Sequence, residues 1–92
     1  MSNPRTQQNE DERTETSRAE LLATLIAAAV LRELGPPTGL LRVAVVKLWT
    51  NHYRVNVLTG SAADSRVAHS YFLTADDGGR VLAASPAITR SY

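Results

Sequence analysis

The chain has 92 residues, 43% of them hydrophobic, a net charge of +1 and no cysteine. That length allows one domain at most, with a core of marginal size, and the missing cysteines exclude disulfides, thiol nucleophiles and cysteine-ligated metals. The charge is far from the run of a dedicated nucleic-acid binder: residues 1–16 sum to −2 (Arg5 and Arg13 against Glu10, Asp11, Glu12 and Glu15), and residues 17–92 to +3 (eight basic against five acidic).

Residues 1–16, MSNPRTQQNEDERTET, have only Met1 as an apolar residue. Such a segment cannot repay the entropy of ordering, so a disordered tail is expected there, followed by a single domain over 17–92. No signal peptide precedes the first apolar run, which with the missing cysteines points to the cytoplasm. That run, Ala19 to Leu34, is interrupted by Glu20, Thr24, Arg32 and Glu33. It is too short and too broken for a membrane span, which needs roughly 20 apolar residues.

The spacing predicts a helix over 17–34. Ser17 and Glu20 form an S-x-x-E capping box, Gly35 stands where a left-handed cap belongs, and Pro36-Pro37 stops continuation. Between Leu21 and Leu31 only Thr24 is polar, so the apolar surface far exceeds the stripe of about 100° that one sheet covers. Ala27, Leu31 and Leu34 fall on the side left over, and leucine-sized chains there forgo roughly 1.5–3 kcal/mol each if exposed.

Four strands follow. LRVAVVKLW, 41–49, is apolar on both faces and ends at a Thr50-Asn51 turn. HYRVNVLTG, 52–60, alternates strictly, with Tyr53, Val55 and Val57 on one face and His52, Arg54 and Asn56 on the other. RVAHSYFLTA, 66–75, and RVLAAS, 80–85, flank the hairpin signal DDGG, and Pro86 ends the last strand. Short connections favour sequential antiparallel pairing. The fold class expected is α+β: one N-terminal helix packed on a four-stranded antiparallel β-meander, after the disordered tail.

Two family resemblances accompany these residues. The stretch SYFLTADDGGRVLAASP, 70–86, resembles the strand–D-x-x-G–strand hairpins that end PepSY-type domains, which implies a small interaction or inhibitory module. The helix-then-strands order is similar to that of the double-stranded RNA-binding domain, without that domain's second helix or lysine cluster.

For catalysis, His52 and His69 are the only histidines and Asp64, Asp76 and Asp77 the nearest acids, in none of the spacings that mark a nucleophile, metal or phosphate site. The chain therefore reads as a non-enzyme without cofactor or metal. The leading expectation is a protein-interaction or assembly module, a homodimer or a subunit with a protein partner, using the helix or the second sheet face. Ala27, Leu31, Leu34 and Trp49 are its candidate interface residues. The alternative is nucleic-acid binding by Lys47, Arg54 and Arg66 on the open sheet face.

Overall fold

The computed structural model of the chain describes the backbone of residues 4–92 and the side chains of residues 16–92. Helix α1 spans Pro4–Leu34, followed by β1 (Leu40–Trp49), β2 (His52–Gly60), β3 (Ser65–Ala75) and β4 (Val81–Ser85). The strands form one antiparallel sheet in the order β1-β2-β3-β4, with α1 on one face. This is the expected α+β meander, with strand limits within one residue of those read from sequence. The tail expected over 1–16 falls, except for Thr16, on residues whose side chains lie outside the described ones. The helix backbone runs on through Ser17, so Ser17 and Glu20 lie inside α1 and do not form the expected capping box. Thr24 Oγ1 donates to the Glu20 carbonyl at 2.9 Å, a common way for an interior threonine to satisfy its hydroxyl.

The end of the helix is built as its sequence requires. Gly35 takes φ 83°, and its amide donates to the Leu31 carbonyl at 2.8 Å. The Leu34 carbonyl, left without an intrahelical partner, accepts from the amides of Ser91 at 2.9 Å and Tyr92 at 3.2 Å. The C-terminal segment therefore returns to the helix end and ties it down. The same contact explains the glycine: a Cβ on Gly35 would stand 2.5 Å from the Tyr92 carbonyl oxygen.

The core is a line of helix residues one turn apart, Ile26, Val30 and Leu34, set against Tyr53, Val55 and Val57 of β2 and Tyr71, Leu73 and Ala75 of β3. Leu40, Val43, Val45, Val81, Ala84 and Ile88 close its margins. Leu34 is fully buried, which corrects its expected place on a free side of the helix. The sheet lies toward the C-terminal end of the described helix, and the returning segment covers the last turn. Leu31 and Ala27 are half-buried beside this stripe, and the exposed large chains of the helix are Leu21 and Leu25.

Two tight turns carry the meander. Asn51, at φ 60°, closes the two-residue β1–β2 turn in the left-handed region that Asn tolerates better than most residues. In the β3–β4 turn, Asp76 Oδ1 accepts from the amides of Gly78 at 3.0 Å and Arg80 at 2.9 Å, the local bonding that makes Asp a turn residue.

Gly35→Ala should destabilise the fold by at least about 1–2 kcal/mol, from the left-handed backbone alone. Gly39 has a similar φ of 74° with open space where a Cβ would point. Urea unfolding of Gly35→Ala and Gly39→Ala should therefore show the larger loss at residue 35, the difference measuring the contact with Tyr92. Equal losses would mean that the returning segment is not held at the helix end.

Candidate interaction surface

Side chains directly opposite in an antiparallel pair share a face, so the register sorts the whole sheet. The face carrying Tyr53, Val55 and Val57 meets the helix. The other, open face has Arg54, opposite Val46 of β1 and Phe72 of β3, and Asn56, opposite Ala44 and Ser70. His52 pairs with Trp49 on one side and Thr74 on the other. Arg42 and Val67 both pair with Leu58.

Trp49 and Val67 reach this face through β-bulges, each an extra residue that inverts the alternation beyond it. Leu48 is the extra residue between the pairs Lys47–Tyr53 and Trp49–His52. Ala68 is the extra residue between Val57–His69 and Leu58–Val67. A third, Leu82, lies between Ala75–Val81 and Thr74–Ala83; it returns Ala84 to the core and turns Ala83 and Ser85 to the open face. Plain alternation puts Trp49 with Lys47 and Val67 with Tyr71, the opposite of what the register shows.

The open face is consequently rich in exposed apolar area: Trp49 is 60% accessible, Val67 53%, Val46 51% and Phe72 50%. Its polar groups are held in place. Trp49 stacks on His52 with ring centroids 4.8 Å apart, and His52 Nδ1 donates to the Thr50 carbonyl at 2.7 Å. The Arg54 guanidinium lies over the Phe72 ring, 4.3 Å from its centroid. Ser70 Oγ donates to Asn56 Oδ1 at 2.6 Å. At the Trp49 end a groove of about 380 Å³ opens, lined almost wholly by apolar surface. Trp49, Leu48 and Phe72 line it together with the small side chains Thr74, Ala83 and Ser85.

The predicted site residues separate on these facts. Trp49 is exposed at the rim of the apolar groove. Leu34 is in the core, and Ala27 and Leu31 are half-covered by their own chain. Of the nucleic-acid candidates only Arg54 is on the open face. Lys47 pairs with Tyr53 and Arg66 with Thr59, which places both on the helix side of the sheet and corrects their expected position. Arg42, absent from that set, joins Arg54. Phe72 and Val46, the other large groups here, were legible as outward residues once the phase of β2 was carried across by pairing.

The histidines do not come together. His52 is on the open face, whereas His69 pairs with Val57 on the helix side. His69 Nε2 and Tyr92 Oη share a hydrogen bond of 2.9 Å, and the His69 ring is parallel to that of Tyr71 at 6.3 Å. This cluster fastens the C-terminal segment to β3. Burial, and secondarily the neighbouring Tyr92, push the Tyr71 phenol above its ordinary value of 10.0. Among the described residues no three His, Asp or Glu side chains gather as metal ligands, and no helix is long and apolar enough to cross a membrane.

Comparison of the chain with protein-family models, with curated proteins and with solved structures finds no match.

Because Tyr71 ionises later in the folded than in the unfolded chain, the unfolded state holds fewer protons above about pH 10. The stability linked to Tyr71 is therefore whole below that pH and falls as pH rises toward the folded value. Thermal unfolding followed from neutral to strongly alkaline pH should show this decline, and Tyr71→Phe should flatten it. An unchanged slope in that variant would assign the decline to other groups.

Proposed function

We propose that the protein is a non-catalytic protein-interaction module that binds through the open face of its sheet. One observation carries this reading: Val46, Trp49, Val67 and Phe72, all about half-exposed or more, share that face with an apolar groove. A monomer gains nothing by holding four such chains in water, whereas a partner that covers them recovers about 1 kcal/mol or more for each. Trp and Arg are also the residues on which binding energy concentrates.

Charge describes the partner further. None of the four strands contains an Asp or Glu, and the open face carries Arg42 and Arg54. A partner that desolvates these guanidinium groups must supply carboxylates or carbonyl oxygens. We read the ligand as a protein segment with a large apolar anchor for the groove and an acidic neighbour for Arg54. Two copies packed face to face would set four arginines together without a carboxylate, so the face itself is unsuited to pairing with its own kind.

A second reading has its own observation, the gathering of Trp49, His52 and Phe72 with Arg42 and Arg54, as on sheets that stack single-stranded bases. Magnitude decides against it as the first reading. Two phosphate contacts give a salt slope of only about −1.4 on a single strand, against the 6–10 contacts common in strong binders.

Trp49 is the only tryptophan, so its emission reports on this face directly. Selection from a displayed random-peptide library should enrich segments with an aromatic or aliphatic anchor beside Asp or Glu. Their binding should shift Trp49 emission to the blue and weaken about fivefold to tenfold in Phe72→Ser or Arg54→Ala. Selected peptides that bind Trp49→Ser and Phe72→Ser as well as the unaltered chain would refute the assignment. A salt-sensitive gel shift with a random oligonucleotide, abolished by Arg54→Ala, would instead favour the nucleic-acid reading.

A further inference from the structure

We propose that two copies of this chain pair antiparallel through their β1 edges about a two-fold axis perpendicular to the sheet. Two four-stranded sheets then become one of eight strands. The sheet order leaves β1 and β4 as its edges. They differ greatly as templates. β4 has 5 residues and runs into Pro86, which cannot donate to a ladder. β1 has 10 residues, and among the described residues only its β2 side is paired. A long apolar edge of this kind offers a row of free amides and carbonyls to a further strand.

The usable part of β1 is its regular run from Arg42 to Lys47, bracketed by the extra residues Leu41 and Leu48. Its centre is Val43, Ala44, Val45 and Val46, with the two cations at the ends. Charges and bulges blunt an edge strand, and in β1 both are confined to the ends of this run.

Register supplies the argument for a second copy as the partner. With the axis perpendicular to the sheet, each residue faces one from the same side of the sheet. Arg42 is on the open face and Lys47 on the helix face, so the two can never stand directly opposite. Centred on Ala44, the pairing sets Arg42 against Val46 and Val43 against Val45. Centred on Val45, it sets Val43 against Lys47 and Ala44 against Val46. Either arrangement places β-branched chains beside one another, the favourable cross-strand combination. In both, equivalent cations stay four or more residues apart along the strands, about 13 Å. That exceeds the Debye length of about 8 Å in physiological salt, so their repulsion is screened; Arg42 and the partner's Lys47 lie one position apart but project to opposite faces of the sheet.

The helix side of the same edge is also incompletely covered. A groove of about 510 Å³ lies between α1 and β1, lined by Ala19, Leu22, Ala23, Val45, Lys47 and Tyr53 with Arg18 at its margin. A neighbouring strand carrying Val43 and Val45 would border this apolar space. The assembly closes on itself, because the dimer consumes both β1 edges and exposes only the short β4 edges. It is independent of the binding assigned to the open face, which it leaves uncovered.

Sedimentation velocity on the full chain across a dilution series tests the proposal. Monomer and dimer should exchange with concentration, and the amides of Val43 to Val46 that point away from β2 should gain hydrogen-exchange protection as the dimer forms. Val46 is half-exposed, so Val46→Lys should fold, and it brings a lysine close to a partner cation in both registers. It should weaken the dimer about tenfold or more. Val46→Thr, which keeps the branched strand residue, should retain it. Phe72→Ser, on the open face but away from the edge, should not alter it. A monomer at every concentration, or a dimer indifferent to Val46→Lys, overturns the proposal. A dimer broken by Phe72→Ser and not by Val46→Lys overturns it too, since association would then belong to the face.

Discussion

In an antiparallel sheet the face of a side chain is set by counting from a known residue, and one added residue inverts the count beyond it. The sheet has four such additions, and three of them, beyond the one at Leu41, decide what its open face carries. Leu48 turns Trp49 to the open face, Ala68 turns Val67 there, and Leu82 exchanges which residues of β4 meet the core. The groove is the joint product of the first and the last of these. Leu48 supplies the tall wall, because it sends the largest side chain of the sequence outward. Leu82 supplies the low floor, because it leaves Ala83 and Ser85 beside Thr74 where unbroken alternation would have placed Leu82 and Ala84. A concave apolar site on a nominally flat surface thus comes from breaks in the pleat and needs no extra loop.

The core tolerates these breaks because its centre lies elsewhere. Tyr53, Val55 and Val57 alternate without interruption, and on β3 the sequence Tyr71, Leu73, Ala75 is equally regular beyond Ala68. The bulges sit at strand ends and away from the Ile26–Val30–Leu34 line, where a reversed residue would put a polar group against the helix. The returning C-terminal segment completes the arrangement. It satisfies the Leu34 carbonyl, covers the end of the helix stripe and is anchored on β3 through His69 and Tyr92.

These two features also mark the boundary of what could be read from the residues. The strands, their order and the turns at Asn51 and Asp76 were legible, because alternation and turn chemistry are local. So was the open face of β2, whose polar residues fix its phase. β1 has no such phase marker: with Val, Ala and Leu on both sides, an extra residue leaves the pattern looking unchanged, so plain alternation groups Trp49 with the wrong neighbours. The misplacement of Lys47 and Arg66 has the same origin, since each lies on a strand whose phase relative to β2 depends on pairing. Leu34 departs from its expected place for another reason. Its burial depends on where the sheet lies along the helix and on a terminal segment that carries only Ile88 as a strong apolar signal.

Charge ties the face to the edge. The acidic residues of the described part of the chain stand in the helix, the 61–64 loop and the 76–79 turn, while the strands carry only cations. A sheet with this distribution resists stacking on a copy of itself, because its arginines would meet arginines. Extension in the plane avoids such a meeting, because equivalent β1 cations stay apart in register, and Arg42 and the partner's Lys47, which lie one position apart, project to opposite faces. Edge pairing would therefore multiply the open face instead of burying it, presenting two grooves and two Arg54–Phe72 pairs on one side of a continuous sheet. Bivalent display of this kind raises the effective concentration of the second site for any partner long enough to span both. On the proposed reading, a face of moderate apolar area with two cations would then suffice for binding, where a single copy would hold its ligand weakly.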